Sequence, residues 1–178
     1  MNKRWLVLEK ALNTTECRQL LNYVLKPQEF IIPTEKLPNL HKKVFNIVSE
    51  YYDLSSCSFI EQWYNTAHTG QASNEHIDKD EELYWATGET RMPLCSAIMY
   101  INILGLRGAN LELTDEERPG DIPQGESLFY KEPYIVTPKE GTIVLLEQGV
   151  WHRVSPYVSG HRTALLFNFW DGPPLYNS

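Results

Sequence analysis

The apolar positions of this chain change rhythm once. In the first third they recur with the period of a helix. The segment NTTECRQLLNYVL, residues 13–25, places Cys17, Leu20, Leu21, Val24 and Leu25 at i, i+3, i+4, i+7 and i+8, a single amphipathic stripe. Asn13 precedes Glu16 by three residues, which predicts a capping box at the start of that helix. A second helix is predicted between about Pro38 and Tyr52, where Leu40, Val44, Ile47, Val48 and Tyr51 keep the same period. Both read as scaffold that packs on something else and carries no chemistry.

Beyond Asp53 the pattern breaks into short strand-like segments: CSFIEQWYN, CSAIMYINI, NLELTD, YIVTP, TIVLLEQ and RTALLFNFW. They are rich in β-branched and aromatic residues and are separated by turn-forming stretches such as LGLRGAN, ERPGDIPQGES and PKEG. Two helices followed by a run of strands predict an α+β chain, mainly β, with the strands closed into a sandwich or barrel. Helical support is expected over about residues 13–52 and a β-core over about 57–171, together one domain spanning 1–178.

Composition narrows the function classes. Hydrophobic content of 42% and charged content of 22% are those of a globular protein. Sixteen basic against 23 acidic residues give a net charge of -7, which argues against nucleic acid as a partner. No apolar run approaches the roughly 20 residues of a membrane span, and MNKRWLVLEKAL lacks the unbroken apolar core of a signal peptide. Cys17, Cys57 and Cys95 are odd in number and widely spaced, so free thiols in a reducing, cytoplasmic setting are expected.

Candidate chemistry begins at NEHIDKDEE, residues 74–82, where His76 and Asp78 stand one residue apart. Residues i and i+2 of an extended segment face the same way, so the pair can converge on one ion. Alone, such a pair is more often a solvated turn. A third ligand is available far along the chain in His152, at the end of the apolar TIVLLEQGVWH segment. Two histidines and one carboxylate compose the facial triad that holds non-haem Fe(II) and leaves positions open. Arg162 follows ten residues later. Alternation along RTALLFNFW puts Arg162, Ala164, Leu166, Asn168 and Trp170 on one face. A guanidinium on so apolar a strand is costly to bury unless paired, and its planar fork suits a carboxylate that a ligand could supply.

These residues carry a resemblance. EHID, then MYIN, then TPKEGTIVLLEQGVWHRVSPYVSGHRTALLFNFW is similar to the Fe(II)/2-oxoglutarate-dependent dioxygenases, specifically the prolyl-4-hydroxylase-like branch. The spacing Val154, Pro156, Val158, Gly160, Arg162 belongs to it, and KALNTTECRQLLNYV resembles the branch's N-terminal helix. The resemblance implies a double-stranded β-helix, a jelly-roll or cupin-like fold. It implies metal ligation by His76, Asp78 and His152, and a co-substrate clamp of Arg162 with Tyr100 and Tyr64. It further implies Fe(II), with 2-oxoglutarate and O2 as co-substrates, stimulation by ascorbate, and release of succinate and CO2. With Asp78 in the carboxylate position no place is left for a halide, so a hydroxylase rather than a halogenase is implied. The branch's Gly-Gly-Glu-Leu segment is replaced here by GANLEL, which leaves Asn110 and Glu112 without an assigned role.

Other residues receive plainer expectations. His41, His68 and His161 read as surface or loop histidines, and Cys57 and Cys95 as small strand residues. Trp63, Trp151 and Trp170 read as core by default. Trp85 lies in the polar stretch 79–93, which is expected to form a lid over the site. Trp85, Asn168 and Trp170 are taken as substrate-contacting residues. The expected substrate is an amino acid, a peptide or a related small molecule, with a positive charge favoured by the acidic lid. Two other readings stay open: a cupin-like binding protein or isomerase without 2-oxoglutarate chemistry, and a hydroxylase of protein side chains.

Overall fold

The computed structural model describes residues 3–26, 29–66, 72–115 and 132–175. The expected surface histidine His68 and the ERPGDIPQGES turn lie outside them. The chain runs β1 (Trp5–Leu8), α1 (Thr14–Val24), β2 (Ile31–Pro33), α2 (Asn39–Ser49), β3 (Phe59–Thr66), α3 (Glu81–Thr87), β4 (Cys95–Gly108), β5 (Leu111–Thr114), β6 (Tyr134–Val136), β7 (Ile143–Glu147), β8 (Trp151–Val154) and β9 (Tyr157–Trp170).

The strands form two antiparallel sheets that face one another as a double-stranded β-helix. The larger has the order β1-β7-β4-β9-β3-β2 and the smaller the order β6-β5-β8. Alternation along the long strands assigns every second side chain to one of two cores. Ala97, Met99 and Ile101 of β4, Ile143 and Leu145 of β7, and Leu165, Phe167 and Phe169 of β9 pack under α1 and α2. Ile98 and Tyr100, Val144 and Leu146, and Ala164 point the other way and meet Leu111, Leu113 and Val136 of the small sheet. The site grows from this inner face.

The first helix begins as its sequence predicts. Asn13 Oδ1 accepts from the Glu16 amide, and the Glu16 carboxylate accepts from the Asn13 amide, each at 3.0 Å, an N-cap of about 1 kcal/mol. The buried stripe of Cys17, Leu20 and Val24 rests on the large sheet. The second helix is shorter than its apolar period suggested and ends at Ser49. Four of these elements are additional to the expected set, among them β8, a strand separate from β7 rather than the end of one TIVLLEQGVWH segment. β1 pairs with β7 at the sheet edge, β2 pairs with β3, and α3 sits within the acidic stretch.

His41 corrects an expectation. It is a core residue, 1% exposed, rather than a surface one. Its ring stacks on Phe167 and meets the edge of Tyr23, and its Nε2 lies 2.8 Å from Gln62 Oε1. His161 lies beside Thr163 Oγ1 at 3.0 Å, one position out of phase with Arg162.

Candidate active site

His152 reaches the site because β7 does not continue into it. The turn at Glu147–Val150 carries the chain out of the large sheet, and β8 pairs with β5 in the small one. The segment 72–78 then lies alongside β8 as an irregular fourth strand. His76 and His152 exchange backbone hydrogen bonds of 3.0 and 2.9 Å, and Ser73 N donates to Val154 O. That register puts the two imidazoles side by side, with ring centroids 4.2 Å apart. Asp78, two residues beyond His76, brings Oδ1 to 3.8 Å from His152 Nε2.

One ligand atom from each of His76, Asp78 and His152 lies within 4.8 Å of the others. The histidine rings are oriented by the backbone. Nδ1 of His76 is 2.8 Å from Asn74 O, and Nδ1 of His152 is 3.0 Å from Val150 O. Each ring therefore carries its proton on Nδ1 and presents the Nε2 lone pair, as metal-ligating histidines do. Burial holds His152 below the ordinary histidine value, against the pull of Asp78 and with a further push from His76. A neutral imidazole is the form a metal takes. The donor set fits a divalent metal that accepts nitrogen and oxygen.

Beside the triad, a cavity of about 170 Å³ runs inward between the sheets, lined by His76, His152, Tyr100 and Arg162 among apolar Ile98, Leu111, Ala164 and Leu166. Arg162 is 4% exposed. Its Nη1 donates to Ala109 O at 3.2 Å and its Nη2 to Asn65 Oδ1 at 2.8 Å. Among the described residues no carboxylate pairs with it. Its Nε and the Tyr100 hydroxyl are both buried with no partner. Desolvation pulls the guanidinium below its ordinary value, with Tyr100 opposing; it pushes the Tyr100 phenol up, with Arg162 opposing. A cation and a hydroxyl left with unmet hydrogen-bonding capacity in one cavity fit an anion with two acceptor oxygens.

Gly160 sets the entry of β9 into this site. Its φ is +95°, and a Cβ there would stand 2.3 Å from the Gly105 carbonyl oxygen where β9 crosses β4. Only glycine allows that approach, and Arg162 enters the cavity two residues later.

Tyr64 is corrected as a clamp residue. It is 51% exposed and lines a groove on the helix side with Val24, Leu25 and Phe30. Its neighbours Trp63 and Asn65 line the cavity instead. Asn65 was missed, because either face of CSFIEQWYN reads equally well from the sequence. Glu112 is likewise turned away from the cavity, its Oε2 accepting from Arg153 Nε at 2.5 Å.

Toward solvent the triad opens on a second cavity of about 340 Å³, lined by Phe30, Glu61, Trp63, Asp78 and Asn168. Asn168, expected to contact substrate, lines this cavity. Trp170 is fully buried and stands behind the cavity wall, and Trp85 is 78% exposed on α3, away from the cavity; neither contacts this space. Glu61 is a further residue the sequence reading passed over. Ser96 Oγ donates to Asn168 Oδ1 at 2.7 Å, Asn168 Nδ2 to Glu61 Oε2 at 3.1 Å, and Trp170 Nε1 to the same oxygen at 3.1 Å. Desolvation raises the Glu61 carboxyl, the two donors lower it, and Asp78 and Asp80 raise it again.

The stretch 79–93 is tied down at both ends. Asp80 caps α3 through Leu83 N, accepts from Leu175 N at 2.8 Å, and donates its own amide to Arg91 O. Arg91 in turn holds Pro173 O, Gly172 O and Asp171 Oδ1 at 2.7–2.9 Å. Residues 79–82 of the segment expected to form a lid, with Pro174 and Leu175, line the outer cavity, and these hydrogen bonds brace the segment against the chain from 171 to 175.

No family profile matches the sequence, and no curated protein matches it. Solved structures do match its fold. A Pseudomonas putida prolyl-4-hydroxylase superimposes with a TM-score of 0.62 at 17% identity, over 94% of this chain and 86% of that one. HygX from Streptomyces hygroscopicus, with nickel and 2-oxoglutarate bound, gives 0.64 at 12% identity, over 97% and 83%. The viral collagen prolyl hydroxylase vCPH of Paramecium Bursaria Chlorella virus-1, as a 2OG complex, gives 0.56 at 16% identity, over 94% and 96%. The chain has the fold of these proteins. Among the described residues no helix is long and apolar enough to cross a membrane.

Proposed function

We propose that the protein is an Fe(II)- and 2-oxoglutarate-dependent dioxygenase that hydroxylates an unactivated C–H of an amino acid, a peptide or a related small molecule. The observation that carries this reading is the buried Arg162, without a carboxylate partner among the described residues, facing a partnerless Tyr100 hydroxyl in a cavity that opens on the triad. A metal used only as a Lewis acid, as in a cupin-like isomerase, has no need of that inner anion clamp.

In this reading His76, Asp78 and His152 hold Fe(II) through Nε2, a carboxylate oxygen and Nε2. Arg162 and Tyr100 would receive the C5 carboxylate of 2-oxoglutarate in the inner cavity. Asn65 fixes the guanidinium from below. Ile98, Leu111, Ala164 and Leu166 keep water from the chain between the two ends, which strengthens the buried ion pair. Bound together, Fe(II) and 2-oxoglutarate supply O2 activation, with succinate and CO2 released and one oxygen atom delivered to the substrate. The substrate approaches from the outer cavity, past Asn168. The likeness in fold to a prolyl-4-hydroxylase and to vCPH supports a hydroxylase of amino-acid side chains.

The test is a succinate-formation screen with Fe(II), ascorbate and 2-oxoglutarate over free amino acids, short peptides and folded proteins. A free amino acid or peptide that stimulates succinate release should gain one oxygen atom. Stimulation by folded proteins alone would transfer the activity to protein side chains. No succinate under any condition would overturn the enzyme assignment.

A further inference from the structure

The two cavities that meet at the triad carry unmatched charges of opposite sign. Arg162 is the unmatched cation of the inner one. In the outer one it is Glu61. Its two partners, Asn168 Nδ2 and Trp170 Nε1, are neutral donors, and both bind the same oxygen, Oε2. Among the described residues no lysine or arginine pairs with it. The other oxygen, Oε1, is left to the cavity that Glu61 lines.

The neighbouring charges have other employment. Asp80 lies 3.9 Å from Arg91 and accepts two backbone amides. Lys79, the lining cation, sits over the Tyr84 ring at 3.8 Å and 3.7 Å from Glu81. Asp78 belongs to the metal site. A second observation points the same way. Trp63 and Phe30 line the cavity next to Glu61, their rings nearly parallel at 14° with centroids 6.4 Å apart. An aromatic wall beside a carboxylate with one unengaged oxygen has the chemistry that receives an alkylammonium group.

We propose that Glu61 is the specificity-determining residue of the outer cavity, and that the substrate is an amine whose protonated nitrogen binds its Oε1 against Trp63. This deepens the dioxygenase reading and rests on it for where the substrate reacts. The Ser96–Asn168–Glu61–Trp170 chain is then a positioning device that keeps the carboxylate turned to the cavity. An ammonium held there leaves the carbon skeleton of the same molecule beside His76 and Asp78, which line the same space.

The experiment is a calorimetric titration of the anaerobic Fe(II) protein containing 2-oxoglutarate. The probes are cadaverine, L-lysinamide and piperidine, each against its fully N-acetylated form, on wild type and Glu61→Gln. The glutamine carbonyl can accept from Asn168 and Trp170, so the variant keeps the local hydrogen bonds, and its melting temperature is measured alongside. At least one ammonium probe should bind wild type saturably while its acetylated form does not. Glu61→Gln should weaken that binding roughly tenfold or more, the loss expected for a hydrogen bond between charged groups. The proposal is overturned by three results: no ammonium probe binds, the acetylated form binds equally well, or the variant binds as wild type does. Titration of 2-oxoglutarate into wild type is read separately. Its failure to bind would sink the dioxygenase reading, whereas 2-oxoglutarate binding without ammonium binding would sink only the role of Glu61.

Discussion

Asn65 Oδ1 accepts a 2.8 Å hydrogen bond from Arg162 Nη2 across the β3–β9 pairing, and it is the one side chain that holds this buried guanidinium among the described residues. Asn65→Asp would supply at that point the carboxylate that Arg162 lacks. The variant should be more stable than wild type without co-substrate, because a buried cation gains a partner, and should bind 2-oxoglutarate far more weakly, because the clamp is already engaged. Asn65→Ala should weaken 2-oxoglutarate binding about tenfold, the loss of one hydrogen bond to a charged group. Melting temperature and 2-oxoglutarate affinity measured on both variants check this. Unchanged affinity in Asn65→Asp would mean that the cavity does not hold the co-substrate.

Tyr64 and Tyr100 make opposite predictions. Tyr100→Phe removes only the partnerless hydroxyl facing Arg162, and should weaken 2-oxoglutarate binding by about tenfold with little change in fold. Tyr64→Ala acts on the helix-side groove and should leave 2-oxoglutarate affinity at the wild-type value. The same titration on both proteins decides the pair, and the reverse ranking would restore Tyr64 to the clamp.

What the sequence made legible was local. His76 and Asp78 are two residues apart, Arg162 follows His152 on a fixed spacing, and period-two alternation sorted Arg162 and Asn168 onto one face of β9. The capping box of α1 is likewise contained within four residues. What was hidden depended on distant pairing. The choice between Tyr64 and Asn65 is made by the register of β3 on β9, Asn65 opposite Ala164 and Glu61 opposite Asn168. His41 is buried by Phe167, on the last strand. β1 and β2 are edge strands of four and three residues, too short for a period to show. The third helix did leave signals. Asp80 is its N-cap, and Gly88, with φ +77°, is its left-handed C-cap, but the stretch 79–93 read as an acidic lid without a helix of its own.

Asp78 and Asp80 should separate metal binding from stability. Asp78→Ala removes a ligand atom of the triad and should abolish saturable Fe(II) binding. Asp80→Ala removes the cap of α3 and the anchor for Leu175, so Fe(II) binding should persist while stability falls by about 1–2 kcal/mol. Anaerobic Fe(II) titration with parallel denaturant unfolding checks both, and full Fe(II) affinity in Asp78→Ala would remove it from the site.

His41 predicts a pH dependence of folding. Burial holds its imidazole below the ordinary value of 6.5, with the Gln62 hydrogen bond opposing. As pH falls, the unfolded chain takes up this proton before the folded one does. The stability contributed by the neutral ring is therefore complete above about pH 6.5 and is lost as the pH drops toward the folded-state value. His41→Gln should show a smaller fall in melting temperature between about pH 7.5 and 5.5, the range that brackets the ordinary histidine value. Equal slopes in the two proteins would contradict the assignment.

Arg162 and the metal triad are predicted to act together on one dicarboxylate. The direct measurement is an anaerobic titration of 2-oxoglutarate into wild type and Arg162→Ala, with and without Fe(II). Wild type with Fe(II) should bind one equivalent saturably, and omission of Fe(II) should weaken that binding. Arg162→Ala should bind two orders of magnitude or more less tightly, since losing one partner of a buried charge pair costs about 3–5 kcal/mol. Binding that is absent from wild type, or that ignores both Fe(II) and Arg162, would contradict it.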